Sequence, residues 1–186
     1  MLLINRRELI GGLTTCALVL PAHVLPAHAA GGYRGYADAM LASPPRGAKI
    51  RPDLEAYLDL LAAEARYRAK RKPVEGSDLL RSMARAQALE MVKGNFVGHK
   101  SASGHSFRKR FEAYADPDQR GDFGENAARD RKRGKVDKEK ARRLFTQWLD
   151  SAGHKRNLMN RWYAYVSTGA AQVNHHLYAV QIFWER

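Results

Sequence analysis

The chain has 186 residues, with 32 lysines and arginines against 19 aspartates and glutamates, which gives a formal net charge of +13. This length allows one domain. A hydrophobic content of 45%, with 15 glycines and 7 prolines, excludes a disordered or collagen-like chain. The excess of positive charge indicates that any macromolecular partner is anionic.

Residues 1–29 have the pattern of an export signal. Arg6 and Arg7 precede an apolar stretch over residues 9–20, and the small-x-small sequence Ala27-His28-Ala29 follows as a cleavage site. The apolar stretch is too short for a membrane span, which needs about 20 apolar residues. The arginine pair also fits a twin-arginine signal, and an N-terminal membrane anchor that stays attached is the alternative.

The single cysteine, Cys16, lies inside this apolar stretch. Cleavage after Ala29 leaves a mature domain without disulfides, so its stability has to come from its core. Cleavage also removes two arginines and one glutamate, which lowers the formal charge only to +12. We therefore expect a secreted or periplasmic protein, monomeric, whose basic character belongs to the working domain.

The first half of the mature chain is predicted to be helical after a tether. Residues 30–50 are rich in glycine, alanine and proline without a sustained period, which predicts a tether in front of a domain over residues 51–186. Pro52 fits the first turn of a helix, and the apolar residues from Leu54 to Ala65 follow helical spacing. Ser77 is the predicted N-cap of a second helix, which ends at Gly94-Asn95.

The second half is predicted to add strands. A loop over residues 95–105 leads to a short helix capped by Ser106, which Asp116-Pro117-Asp118 breaks. Residues 123–128 are a predicted strand, Asp137 is the N-cap of a helix, and the runs 163–173 and 177–184 are strand-like. Helices followed by a terminal hairpin predict an α+β domain with an antiparallel sheet.

Four segments carry a resemblance to a known family. The first ends at His99 in Phe-Val-Gly-His, the second holds Glu125 in Gly-Glu-Asn-Ala, the third runs from Trp148 to Leu158 through His154, and the fourth runs from Tyr178 to Phe183. In this order they resemble the CAP superfamily of cysteine-rich secretory, antigen 5 and pathogenesis-related proteins, and most closely its cysteine-free bacterial branch of SCP-like extracellular proteins. The resemblance covers about residues 53–186.

The resemblance implies an α-β-α sandwich in which helices cover both faces of a central antiparallel sheet. It also implies a shallow cavity lined by two histidines and two acidic residues. By position, the histidines are His99 and His154 and the first acid is Glu125. The usual place of the second acid holds Ser151, so the neighbouring Asp150 is its candidate substitute.

These groups allow three functions. Two imidazoles and a carboxylate suit a divalent cation such as zinc, so His99, His154 and Glu125 are candidate metal ligands. The favoured function is a binding module at the cell envelope for a cation, a small molecule or a lipid, because some relatives bind sterols or fatty acids. A metal-dependent hydrolase with Glu125 as the base is the first alternative. The second is an interaction domain in which the site is degenerate.

The most basic part of the chain spans residues 129–143, from Arg129 to Arg143. It contains nine lysines and arginines and three acidic residues, a net charge of +6. We expect these side chains on a loop and on the solvent side of a helix, where they contact an anionic envelope component or lipid head groups. Nucleic acid is not expected, because the chain carries an export signal and lacks a nucleic-acid-binding motif.

Overall fold

The fold is described by a computed structural model over residues 32–115 and 121–185. The predicted export signal and the predicted helix break at Asp116-Pro117-Asp118 lie outside the described residues. Within the two described ranges, no helix is both long enough and apolar enough to cross a membrane. These ranges contain ten elements: α1 (Gly32–Ala42), β1 (Ala48–Ile50), α2 (Pro52–Arg68), α3 (Asp78–Gly94), α4 (Phe107–Glu112), β2 (Phe123–Asp130), α5 (Lys138–Asp150), α6 (Ala152–Leu158), β3 (Tyr165–Val173) and β4 (His176–Trp184).

The four strands form one antiparallel sheet in the order β1-β3-β4-β2. Strands β3 and β4 are a hairpin, and Asn174 at its turn has a φ of 51°, a left-handed conformation that asparagine tolerates. The last strand of the chain, β4, lies between β3 and β2. Strands β1 and β2 are therefore the two edges of the sheet.

Helices cover both faces of this sheet. Successive side chains of a strand point to opposite faces, and those of β4 alternate between two separate hydrophobic cores. The first core is shared with α1, α3 and α4, and the second with α2, α5 and α6. The first receives Tyr178, Val180 and Ile182, and the second receives Leu177, Ala179 and Phe183. The predicted α-β-α sandwich is confirmed.

The helix caps follow the sequence prediction. The Ser77 hydroxyl accepts a hydrogen bond from the backbone N–H of Leu80 at the start of α3, and Asn95 ends that helix with a φ of 50°. Ser106 and Asp137 cap α4 and α5 in the same way. Short-range hydrogen bonds of this kind are encoded by a few consecutive residues.

The prediction of a tether over residues 30–50 is wrong for residues 32–50. Helix α1 packs against α3, and β1 pairs with residues 171–173 of β3. The buried residues of α1 do follow helical spacing, but short side chains and two glycines conceal the pattern. These buried residues are Tyr33, Tyr36, Ala37 and Met40.

Strand β3 approaches α3 very closely at Gly169. A Cβ atom at this position would overlap the backbone of Ala84 and Arg85. Two polar contacts fix the approach: Arg81 Nη1 donates to the carbonyl of Thr168 at 2.8 Å, and Ser167 Oγ donates to the carbonyl of Ser77 at 2.9 Å. The helix is thereby held in a defined position on the sheet.

Candidate functional site

A groove of about 300 Å³ runs along the outer edge of β2. It is lined by Val97 from the loop after α3, by Gln147, Ser151 and His154 from α5, α6 and the residue between them, and by the β2 residues 127–129, followed by Arg131. The groove thus brings together segments that are distant in the sequence.

Beside this groove, Glu125 is part of a buried ion pair. Its side chain is 1% exposed and that of Arg110 is 0% exposed. Arg110 Nη2 donates to both carboxylate oxygens, at 2.9 Å and 2.8 Å, and also to the backbone carbonyl of His99 at 3.0 Å. Arg110 therefore holds both the carboxylate and the histidine loop in place.

The imidazole of His99 completes this cluster. Its Nδ1 lies 3.0 Å from Glu125 Oε1, while its side chain remains 57% exposed. The hydrogen bond with Glu125 raises the pKa of His99 above its usual range. Because an ionised carboxylate only accepts hydrogen bonds, Nδ1 donates to Glu125. Nε2 can ligate a cation when the imidazole is neutral and donates a hydrogen bond when it is charged.

His154 has the opposite electrostatic environment. Burial lowers its pKa, and the charge of nearby His99 lowers it further. Its Nδ1 is buried and has no hydrogen-bond partner among the described residues. One imidazole of the site is thus biased towards its charged form and the other towards its neutral form.

Two asparagines fix the position of α6 on β2. Asn157 Nδ2 donates to the carbonyl of Glu125 at 3.2 Å and to Asn126 Oδ1 at 3.0 Å. Asn126 Nδ2 donates to the carbonyl of His154 at 3.1 Å. The distance between the Glu125 and His154 backbones is therefore set by side-chain amides.

The comparisons with known proteins agree with this geometry. A family model described as CAP, the cysteine-rich secretory protein family, matches residues 61–184. The chain belongs to the CAP family. This confirms the resemblance seen in the four sequence segments. No curated protein sequence matches the chain.

Three solved structures share the CAP fold with this chain. An outer surface protein from Borrelia burgdorferi has a TM-score of 0.61 and 20% identity, covering 72% of this chain and 93% of that one. An extracellular protein with an SCP domain from Bacillus anthracis has a TM-score of 0.58 and 19% identity, covering 73% and 41%. A cysteine-rich secretory protein from Staphylococcus aureus has a TM-score of 0.51 and 17% identity, covering 73% and 39%.

Asp150, the predicted second cavity acid, does not line the groove of this CAP domain. It is the exposed last residue of α5, whereas Ser151, one position later, lines the groove. The chain leaves the helix between these two residues, because Ser151 has an extended backbone with φ −89° and ψ 119°.

The metal centre predicted from His99, Glu125 and His154 does not fit as a three-ligand site. The described residues contain no group of three His, Cys, Asp or Glu side chains able to hold a metal ion. The carboxylate of Glu125 is occupied by Arg110 and His99, so it fits the role of a carboxylate that orients a ligating imidazole. Two imidazoles remain as candidate cation donors.

Sequence reasoning missed Arg110. In the short helix predicted after Ser106, the apolar residues Phe107, Phe111 and Tyr114 lie on one face, and Arg110 lies on the same face by its spacing. A charged residue inside an apolar face was the available signal, because such a residue is buried only when it is paired.

The basic run also departs from its prediction at Lys140, which is buried instead of solvent-facing. Lys140 Nζ donates to the backbone carbonyls of Lys132 and His175 and lies 3.4 Å from Asp130 Oδ1. Lys140 therefore holds the basic loop against the hairpin turn.

The cations left at the surface are concentrated in that loop. Arg143 is paired with Asp130 at 3.0 Å and with Glu139 at 2.7 Å. The exposed residues of the loop are Arg131, Lys132, Arg133 and Lys135, and none forms an ion pair within the described part of the chain. The exposed basic surface therefore contains fewer residues than the run 129–143. Fewer of its charges are neutralised by carboxylates.

Proposed function

We propose that this CAP domain is an extracellular binding module of the cell envelope, in which His99 and His154 hold a small ligand or a divalent cation such as zinc. The observation that carries the proposal is the exposed imidazole of His99 backed by a fully paired carboxylate. The export pattern and the names of two similar structures, an outer surface protein and an extracellular protein, support the location.

The arrangement favours binding over hydrolysis. A general base has to reach the proton that it removes, directly or through one water molecule. Glu125 is 1% exposed, and both of its oxygens accept hydrogen bonds from a buried guanidinium. It is well placed to orient His99 and poorly placed to activate water.

The exposed loop around Arg131 supports the envelope part of the proposal. Its unpaired cations would contact an anionic envelope component such as phosphorylated or carboxylated polymers or lipid head groups. Contact of this kind weakens with added salt, because the charges are exposed to solvent.

Zinc titration by calorimetry tests the imidazole site. We expect modest binding that His99→Ala and His154→Ala each weaken at least tenfold, while Asp150→Asn, a matched change outside the groove, has no effect. Binding that both histidine variants leave unchanged would contradict the cation assignment.

Activity assays on peptide and ester libraries test the alternative. We expect no turnover above background. Turnover that Glu125→Gln abolishes and Asp150→Asn preserves, in variants with unchanged melting temperature, would establish the hydrolase instead.

A further inference from the structure

Within residues 32–115 and 121–185, no strand pairs with the outer edge of β2 along the groove, and we propose that this edge binds an extended acidic peptide from another protein as an additional strand. This inference rests on the proposed function of the groove as a binding site. The inference adds a peptide as a partner of the groove, whereas His99 and His154 by themselves indicate only a small ligand or a cation.

The backbone register shows which groups of β2 face outward. Glu185 N donates to the Asp122 carbonyl at 2.8 Å, in the same register as the β2–β4 pairing. Hydrogen-bonded and non-hydrogen-bonded pairs alternate in an antiparallel ladder. Even-numbered residues of β2 therefore bond to β4, and the backbone groups of Glu125, Ala127 and Arg129 face away from the sheet.

A side-chain contact supports this register. The outward carbonyl of Glu125 accepts a hydrogen bond from Asn157 Nδ2. The outward backbone groups of Ala127 and Arg129 have no such partner among the described residues, and both residues line the groove. Ala127 and Ala128 are each only 5% exposed, so an added strand has to reach this short edge through the groove.

The positive charge beside the groove favours an acidic peptide. Arg129 and Arg131 lie at one end of the groove, and neither forms an ion pair with a described carboxylate. The Arg129 guanidinium bonds only to neutral groups, Asn95 and the Tyr178 hydroxyl. An acidic peptide would neutralise both arginines, whereas a second copy of this chain, with a formal charge of +13, would be repelled.

The probe is a fluorescein-labelled peptide of alternating valine and glutamate, titrated with the folded chain and followed by fluorescence anisotropy. We expect saturable binding. Methylation of the central peptide nitrogens removes donors from the added strand and should weaken binding about tenfold. A peptide with lysine in place of glutamate should not bind.

Two protein variants test the edge directly. Ala127→Pro removes an outward N–H but no ladder bond, and proline is tolerated in this position of an edge strand. It should abolish binding, and the melting temperature shows whether the ring fits at this buried position. Arg131→Glu should weaken binding, whereas Arg133→Glu, a matched change in the same loop outside the groove lining, should have a smaller effect. If Ala127→Pro fails to fold, the methylated peptide decides.

Several results would overturn the inference: no binding, equal binding of the lysine peptide, or binding that falls with salt but ignores methylation. The last would indicate surface electrostatics alone. Zinc binding without peptide binding would overturn only this inference. Peptide binding without zinc binding would overturn only the cation assignment to His99 and His154.

Discussion

Arg110 and Lys140 are two buried cations in different regions of the molecule, and each forms a buried ion pair. Both side chains are 0% exposed and each meets a buried carboxylate, Glu125 for Arg110 and Asp130 for Lys140. Lys140 uses its ammonium on one carboxylate and two backbone carbonyls, which matches its three donors.

Arg110 is less completely satisfied. Its Nε and Nη1 have no hydrogen-bond partner among the described residues, while its Nη2 carries all three of its bonds. Buried donors without partners cost free energy and are expected at functional sites more than at structural ones. Lys140 thus holds a loop in place, whereas Arg110 holds the carboxylate of the proposed binding site.

The largest expected effect is the loss of the Arg110 charge. Arg110→Met leaves the buried Glu125 without its guanidinium partner and with only the exposed His99 beside it, so we expect the free energy of unfolding to fall by about 3–5 kcal/mol. Urea denaturation measures the change. The double variant Arg110→Met with Glu125→Leu removes both charges and should recover most of the loss; a double variant as unstable as the single one would contradict the ion-pair explanation.

The corresponding change at the other cation should cost less. In Lys140→Met, Asp130 keeps its contact with Arg143, which is 33% exposed. We expect a loss of about 1–3 kcal/mol by the same urea measurement. A loss larger than that of Arg110→Met would contradict the comparison, because it would show that Lys140 contributes more to stability than Arg110 does.

The pKa values of His99 and His154 provide a sharper test of the electrostatics around the Arg110–Glu125 pair. NMR titration should show His99 protonated at a higher pH than His154, because Glu125 raises the pKa of the first and burial lowers that of the second. The stabilisation by His99 is full below 6.5 and is lost as the pH rises through its folded pKa. His154 destabilises the fold progressively as the pH falls from 6.5 towards its own folded pKa. The reverse order of titration would refute this electrostatic description.

The smallest effect is expected at the exposed edge of the Lys140 cluster. The Glu139 side chain is 79% exposed and pairs with Arg143 one helical turn away. Glu139→Gln should change the free energy of unfolding by no more than about 0.5 kcal/mol. A change above 1 kcal/mol would show that the basic loop depends on surface charges as well as on Lys140.

The sequence predicts what short stretches encode. The caps at Ser77, Ser106 and Asp137 and the terminal hairpin depend on a few neighbouring residues, and the structure confirms them. His99 and Glu125 were proposed by resemblance, and the structure places them in contact.

The features that the sequence did not predict depend on contacts between residues that are distant in the chain. The sequence around Arg110 and Lys140 does not identify the acid, on another element, with which each one pairs. The same is true of helix α1, whose weak pattern becomes meaningful only against α3. Asp150 is exposed to solvent at the end of α5, whereas Ser151 lines the groove, and the sequence does not show this difference.

The position of β4 has a consequence for how the chain reaches its native state. The final nine-residue strand, His176–Trp184, separates β3 from β2 and contributes to the hydrophobic cores on both faces. A nascent or truncated chain that stops before β4 has neither a continuous sheet nor a complete interior. Folding of this domain therefore waits until β4 has been synthesised, and truncation just before His176 should leave a product that proteases degrade.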